Sequence, residues 1–168
     1  MITVKRAGKS QFKKAQTAIE NIHNSEVHIG WFGTTDKFGA YDAYKAFVNE
    51  FGSVKTEAKS SDLDEIIPPR PFILNHLDEV KPTERFKGLD IERLSSKIRV
   101  NRIFNSIGDD IKEVILNGIE AQNTELAPYT IEKRRQRGNF NEKPLVDTGS
   151  MAEHLTRKLV KRTTDNPF

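Results

Sequence analysis

Between about Arg102 and Ala121, the residues Ile103, Ile107, Ile111, Val114, Ile115 and Gly118 recur at intervals of three or four. That spacing draws one apolar stripe down an α-helix and predicts the longest helix of the chain. A stripe of this kind must be buried against another element, and a sheet is the expected partner. Strand candidates are few and short. Ile2-Thr-Val-Lys5 alternates, and Val27-His-Ile-Gly-Trp-Phe32 places Val27, Ile29 and Trp31 on one face before a turn at 33–36. The chain closes on Leu155-Thr-Arg-Lys-Leu-Val-Lys-Arg-Thr163, a further candidate strand.

Shorter helices are expected around these strands. Ser10 is placed to cap one running to about His23, with Phe12, Ala15, Ile19 and Ile22 apolar. Residues 42–51 suit a second, with Asp42 as its cap, Ala43, Phe47, Val48 and Phe51 apolar, and Gly52 as its stop. Pro68-Pro69-Arg70-Pro71-Phe72 enforces extended backbone, after which Pro71 can open a helix to about Val80. Pro128 can open another that carries Lys133-Arg134-Arg135-Gln136-Arg137 and ends at Gly138, and Asp147-Thr148-Gly149-Ser150 reads as a turn and cap starting a last short one. Residues 83–100 read as irregular with a short helix, and the polar run 53–66 as a mobile loop. With no βαβ alternation, the expected class is α+β: a small, mostly antiparallel sheet packed against several helices, within one domain spanning residues 1–168.

Composition narrows the chemistry. The chain has no cysteine, which excludes disulfides and thiolate metal sites and fits a reducing cytoplasm. Its opening residues lack the apolar core of a signal peptide, and no apolar run is long enough for a membrane helix, so no membrane partner is expected. The net charge of +3 lies wholly in the second half, since residues 1–90 carry 13 basic and 13 acidic side chains. That is a weak nucleic-acid signal.

Catalytic signatures do not emerge. His23, His28, His76 and His154 stand far apart, without the i, i+4 pairing of metal ligands on one helical face. The run Asp62, Asp64, Glu65 lacks the glycine and distal glutamate of a calcium loop. Glu50, beside Phe51-Gly52, is read as a carboxylate bonding nearby backbone N–H groups, because a general acid needs a partner and a pocket. Neither a nucleophile elbow nor a phosphate-cradling glycine loop occurs. No enzyme activity, cofactor or metal is therefore expected. The basic run Lys133, Arg134, Arg135 and Arg137 is either a solvated surface or a set of phosphate contacts that position DNA without reading bases.

Four segments occur in order: Val27-His-Ile-Gly-Trp-Phe32; Ala46-Phe-Val-Asn-Glu-Phe-Gly52; Ile67-Pro-Pro-Arg-Pro-Phe72; and Leu126-Ala-Pro-Tyr-Thr-Ile131 leading to Lys143-Pro-Leu-Val-Asp-Thr-Gly-Ser150. The ordered set, over roughly residues 26–160, resembles the tail-completion and neck family of tailed bacteriophages, the head–tail joining proteins of virion morphogenesis. The resemblance implies a structural part of the neck at the top of the tail, assembled from the host cytoplasm. It implies a ring of identical subunits, expected as a hexamer, around the DNA channel. The implied neighbours are the head-completion or connector protein and the tail terminator or tail tube. Pro68, Pro69, Arg70, Pro71, Phe72, Glu50 and Phe51 are then expected at a subunit or partner interface. Two other readings stay open: a tail terminator capping the tube, and a non-specific DNA-binding module using residues 133–137.

Overall fold

The computed structural model describes residues 8–32, 37–53 and 67–162. In chain order these form α1 (Lys9–His23), β1 (Ser25–Gly30), α2 (Lys37–Phe51), two 3₁₀ turns (Leu77–Glu79 and Pro82–Phe86), α3 (Ile91–Leu94), α4 (Lys97–Ala121), α5 (Pro128–Gln136), α6 (Ser150–His154) and β2 (Thr156–Lys161). The class is α+β: helices dominate, and β1 and β2 pair as one two-stranded antiparallel sheet with α4 packed on it. The expected strand at 2–5, the turn at 33–36 and residues 54–66 of the polar loop lie outside the described residues.

The chain divides into two compact units, each drawn from separated segments. The first takes residues 1–28, 81–109 and 157–168, and the second residues 29–80 and 110–156. Within the first, Asn21 of α1 donates its amide to the carbonyls of Leu94 and Ser95 at 3.3 and 2.9 Å, tying α1 to α3. The face of α1 that packs holds Ala18, whereas Phe12 and Ile19 of the expected stripe are about 70% exposed. Arg157 of β2 reaches Asp109 and Asn105 of α4, both at 2.5 Å. α4 approaches this sheet closely because residue 108 is glycine: a Cβ there would lie 2.7 Å from Val27 Cγ2 and 3.0 Å from Arg157 Cδ. Val100 and Ile107 are buried, with Phe104 edge-on to Phe86 at 6.1 Å.

The second unit holds the larger core, formed by Ala46, Phe72, Ile115, Ile119, Leu145, Met151 and Leu155. Trp31 packs against it, edge-on to Phe72 at 6.3 Å, and its indole N–H donates to the Met151 carbonyl at 2.7 Å. The stripe foreseen on α4 faces inward here, with Ile111, Ile115 and Gly118 buried or half-buried.

Three local expectations need correction. Asp42 is not a cap, because α2 begins at Lys37 and places it in the second turn. α1 starts from Gly8 with no side-chain cap from Ser10. Pro71 does not open an α-helix: residues 67–71 have no regular structure, 72–76 bend and turn, and only Leu77–Glu79 is helical, as a 3₁₀ turn. The reason is that the N–H groups of residues 72–74 are taken by a side chain of α2, described below.

The turn at Phe72 sits on α4 at Gly118, where a Cβ would meet the Phe72 carbonyl oxygen at 2.1 Å and its carbon at 3.1 Å. Backbone cannot yield as a side-chain tip can. Gly118→Ala is therefore expected to lower unfolding free energy by about 3 kcal/mol, as overpacking against a fixed wall does. Urea denaturation checks this, with Asn117→Ala on the exposed side of the same helix as the nearly neutral control.

Candidate functional site

α2 is built inside out. Its exposed side chains are Tyr41, Tyr44, Phe47 and Phe51, each about 60% exposed, while Asp42, Ala46, Val48 and Glu50 are buried. Phe47 and Phe51 lie with ring centroids 5.1 Å apart, and the Lys45 ammonium sits 4.7 Å above the Tyr41 ring. Among the described residues of α2, no fully exposed side chain is charged, and the half-buried Lys45 leans over Tyr41 at one edge of this face. Helices of soluble proteins ordinarily show the reverse.

Such an inversion is tolerable only where the buried carboxylates find donors. Asp42 accepts from the Ser150 hydroxyl at 2.8 Å and from His154 Nδ1 at 2.5 Å, and it pairs with Lys45. Lys45 also donates to Ser150 Oγ at 2.8 Å. Ser150 thus gives its proton to a carboxylate and receives one from an ammonium. It braces α6 to α2. Burial pushes the Asp42 carboxyl up, but hydrogen bonds from Lys45, His154 and Ser150 outweigh it and hold the group below its ordinary value.

Glu50, on the same inner face two turns on, collects three consecutive backbone N–H groups: Phe72 and Ile73 at 2.8 and 2.9 Å on Oε2, and Leu74 at 2.9 Å on Oε1. The Arg70 N–H adds a bond to the Asn49 carbonyl at 2.6 Å, and Ser53 and Ile67 exchange two bonds at 3.0 and 2.9 Å. The Asn-Glu-Phe-Gly and Pro-Pro-Arg-Pro-Phe segments are therefore one locked unit. The expectation that Glu50 bonds backbone N–H groups holds.

The basic run splits by depth. Arg134 is 4% exposed and points inward, donating to the carbonyls of Asn141, Lys143 and Pro144 at 2.7–2.9 Å, with Asp147 Oδ1 at 3.4 Å. It shapes the loop leading to α6. Arg135 and Arg137 are exposed but paired, with Glu142 at 2.7 Å and Asp147 at 3.2 Å, and Lys133 is exposed beside Tyr129. Asp147, expected to cap the final helix, instead serves these arginines and Asn139; α6 starts from Gly149, whose φ of 77° suits glycine.

Several expected contact residues are consequently not on the surface. Phe72 has no exposed area and is the centre of the core, Glu50 is 4% exposed with its carboxylate fully used, and Arg134 cannot reach a phosphate. Arg70 is buried at 8% exposure. Pro68, Pro69 and Phe51 are exposed, and Pro71 is half-buried. Sequence reading missed Tyr41 and Tyr44 as surface groups, and missed Asp42 as a buried anchor. The signal was present as spacing: Asp42, Ala46 and Glu50 fall four apart, and Tyr44, Phe47 and Phe51 form the opposite stripe. Among the described residues, no helix is long and apolar enough to cross a membrane. Searches of family models, curated proteins and solved structures return no match to this chain.

Two outcomes follow. Glu50→Gln replaces a carboxylate by a group that turns an N–H₂ toward backbone donors, and it is expected to cost about 3 kcal/mol in urea unfolding, the range for stranding buried donors. The Asp42 carboxyl titrates lower in the folded chain than its unfolded value of 3.8. Its contribution is thus complete above that pH and is lost as pH falls through the folded value. Asp42→Asn is expected to be less stable than wild type at pH 7, with the gap narrowing below about pH 4 in paired urea titrations.

Proposed function

We propose that this chain is a structural, non-enzymatic component of the neck of a tailed bacteriophage, completing the tail and joining it to the head as a ring of identical subunits around the DNA channel. The observation that carries the reading is the outward aromatic face of α2. Four exposed aromatic side chains on one helical face, with no fully exposed charge among its described residues, mark a protein-contact surface, since Tyr and Phe are enriched at interfaces and charge is depleted at their centres. The face also overlaps Ala46–Gly52, one of the segments on which the family resemblance rests. The one cation at its edge, Lys45, is paired with Asp42, so the face offers little to phosphates and suits another folded subunit.

Support for a DNA-binding module is weaker. Of the four basic residues, Arg134 is consumed internally and two others are paired with carboxylates. Slight contact with the genome in the channel is compatible with Lys133 alone. Tail completion and tail termination share the same demand for a self-associating surface, so they are separated by phenotype.

The test is complementation of an amber mutant in the gene for this chain. Tails of normal length that fail to join heads are expected; overlong tails would identify a terminator. Complementation with Tyr44→Glu/Phe47→Glu is expected to give a soluble, folded polypeptide that purified particles lack, by quantitative mass spectrometry. Particles carrying the variant at the wild-type copy number would overturn the assignment of the α2 face.

A further inference from the structure

The fold leaves the burial of Arg70 unexplained. Among the described residues its guanidinium donates once, from Nη1 to Asn49 Oδ1 at 3.3 Å, and its buried Nε meets no acceptor. Among the described residues no carboxylate lies within ion-pair distance of it. The other buried arginine differs at its Nη groups and its charge partner: Arg134 Nε also lacks a hydrogen bond, but its Nη groups meet three carbonyls and Asp147 lies at 3.4 Å. The two guanidinium groups sit close enough that the charge of Arg134, after burial itself, disfavours the charged form of Arg70. A buried cation without an anion is costly, and a like charge beside it adds to the cost. Both arginines line a recess of about 510 Å³, together with Asn49, Pro68, Glu125 and Thr130.

We propose that this recess is a carboxylate receptor, in which the Arg70 fork takes an acidic side chain of a second copy of this chain. The bidentate match of guanidinium and carboxylate supplies the missing acceptors. A carboxylate on a short flexible stem can enter a recess whose arginine is more than nine-tenths buried. A phosphodiester flanked by sugars cannot. Asn49, which holds both the backbone and the side chain of Arg70, ties the recess to α2. The chain also carries suitable carboxylates: Glu113 and Glu120, two turns apart on α4, are exposed and have no ion-pair partner among the described residues. Recess and carboxylates are different patches of one surface, so their contact is head-to-tail, the kind that closes rings. The second copy as source rests on the neck reading; the carboxylate site does not.

The site is tested on the purified full chain at fixed ionic strength, with acetate, inorganic phosphate and a duplex oligonucleotide as separate probes against chloride. Acetate at about 50 mM is expected to raise the melting temperature by about 3 °C, as a ligand specific to the native state does, and to shift the Arg70 Nε–Hε resonance. Arg70→Met is expected to abolish the acetate effect without lowering the melting temperature in chloride, because it removes an uncompensated charge. Asp78→Asn, which changes an exposed carboxylate outside the recess, is expected to leave the acetate shift unchanged. The site is overturned if acetate acts no differently from chloride, if its effect survives in Arg70→Met, or if only phosphate or the oligonucleotide moves the Arg70 resonance. Should Arg70→Met fold poorly, the wild-type resonance and Arg70→Lys, expected to weaken the acetate shift at least threefold, decide alone. The source is tested by complementation with Glu113→Gln/Glu120→Gln, expected to be excluded from particles as Arg70→Met is. Normal incorporation would overturn the second copy as source while leaving the carboxylate site and the neck reading to their own tests.

Discussion

Three backbone N–H groups in a row end on one carboxylate, and much of the second unit is positioned by that convergence. Glu50 fixes the path of residues 72–74. That path drives Phe72 into the centre of the core and lays its carbonyl against α4, where only a glycine at 118 leaves room. The donors that would have begun an α-helix after Pro71 are already occupied, so the segment turns instead. A charge-assisted acceptor serving several buried donors is worth considerably more than a neutral one, and it cannot be removed without stranding all of them.

The same interaction explains why α2 faces the way it does. With Glu50 committed inward, Asp42 two turns earlier must also point in, and it is satisfied there by Ser150, His154 and Lys45. The aromatic residues between them are left outside by helical geometry. What looks like a hydrophobic core stripe is thus a surface available for contact, and the helix is held by polar bonds on the side where apolar packing would be usual. The three other buried charged groups, Asp42, Glu50 and Arg134, each meet several partners, as buried charge must. Arg70 is the departure, and a departure of that kind is where an external group belongs.

The sequence was legible where a single periodicity decided the outcome. The α4 stripe, the stop of α2 at Gly52, the start of α5 at Pro128 and the α+β class are all as expected, because local backbone preference and one-sided burial agree there. It misled at Phe12, Ile19 and Phe47, where apolar character was equated with burial. It also misled along 133–137, where a run of like residues hides one member folded inward as a structural fork.

Composition and spacing by themselves determined the long helix α4, where glycine and proline stop α2 and start α5, and that Glu50 would serve backbone donors. Tertiary structure alone decided which of two stripes on α2 is the inner one. A carboxylate is the worse choice for an interior only until its donors are counted, and those donors come from residues 72–74 and 150–154, distant in the chain. It alone decided as well that Arg134 has carbonyls and a carboxylate around its guanidinium while Arg70 has one side-chain amide among the described residues. The difference lies in which carbonyls and carboxylates the folded backbone brings within reach.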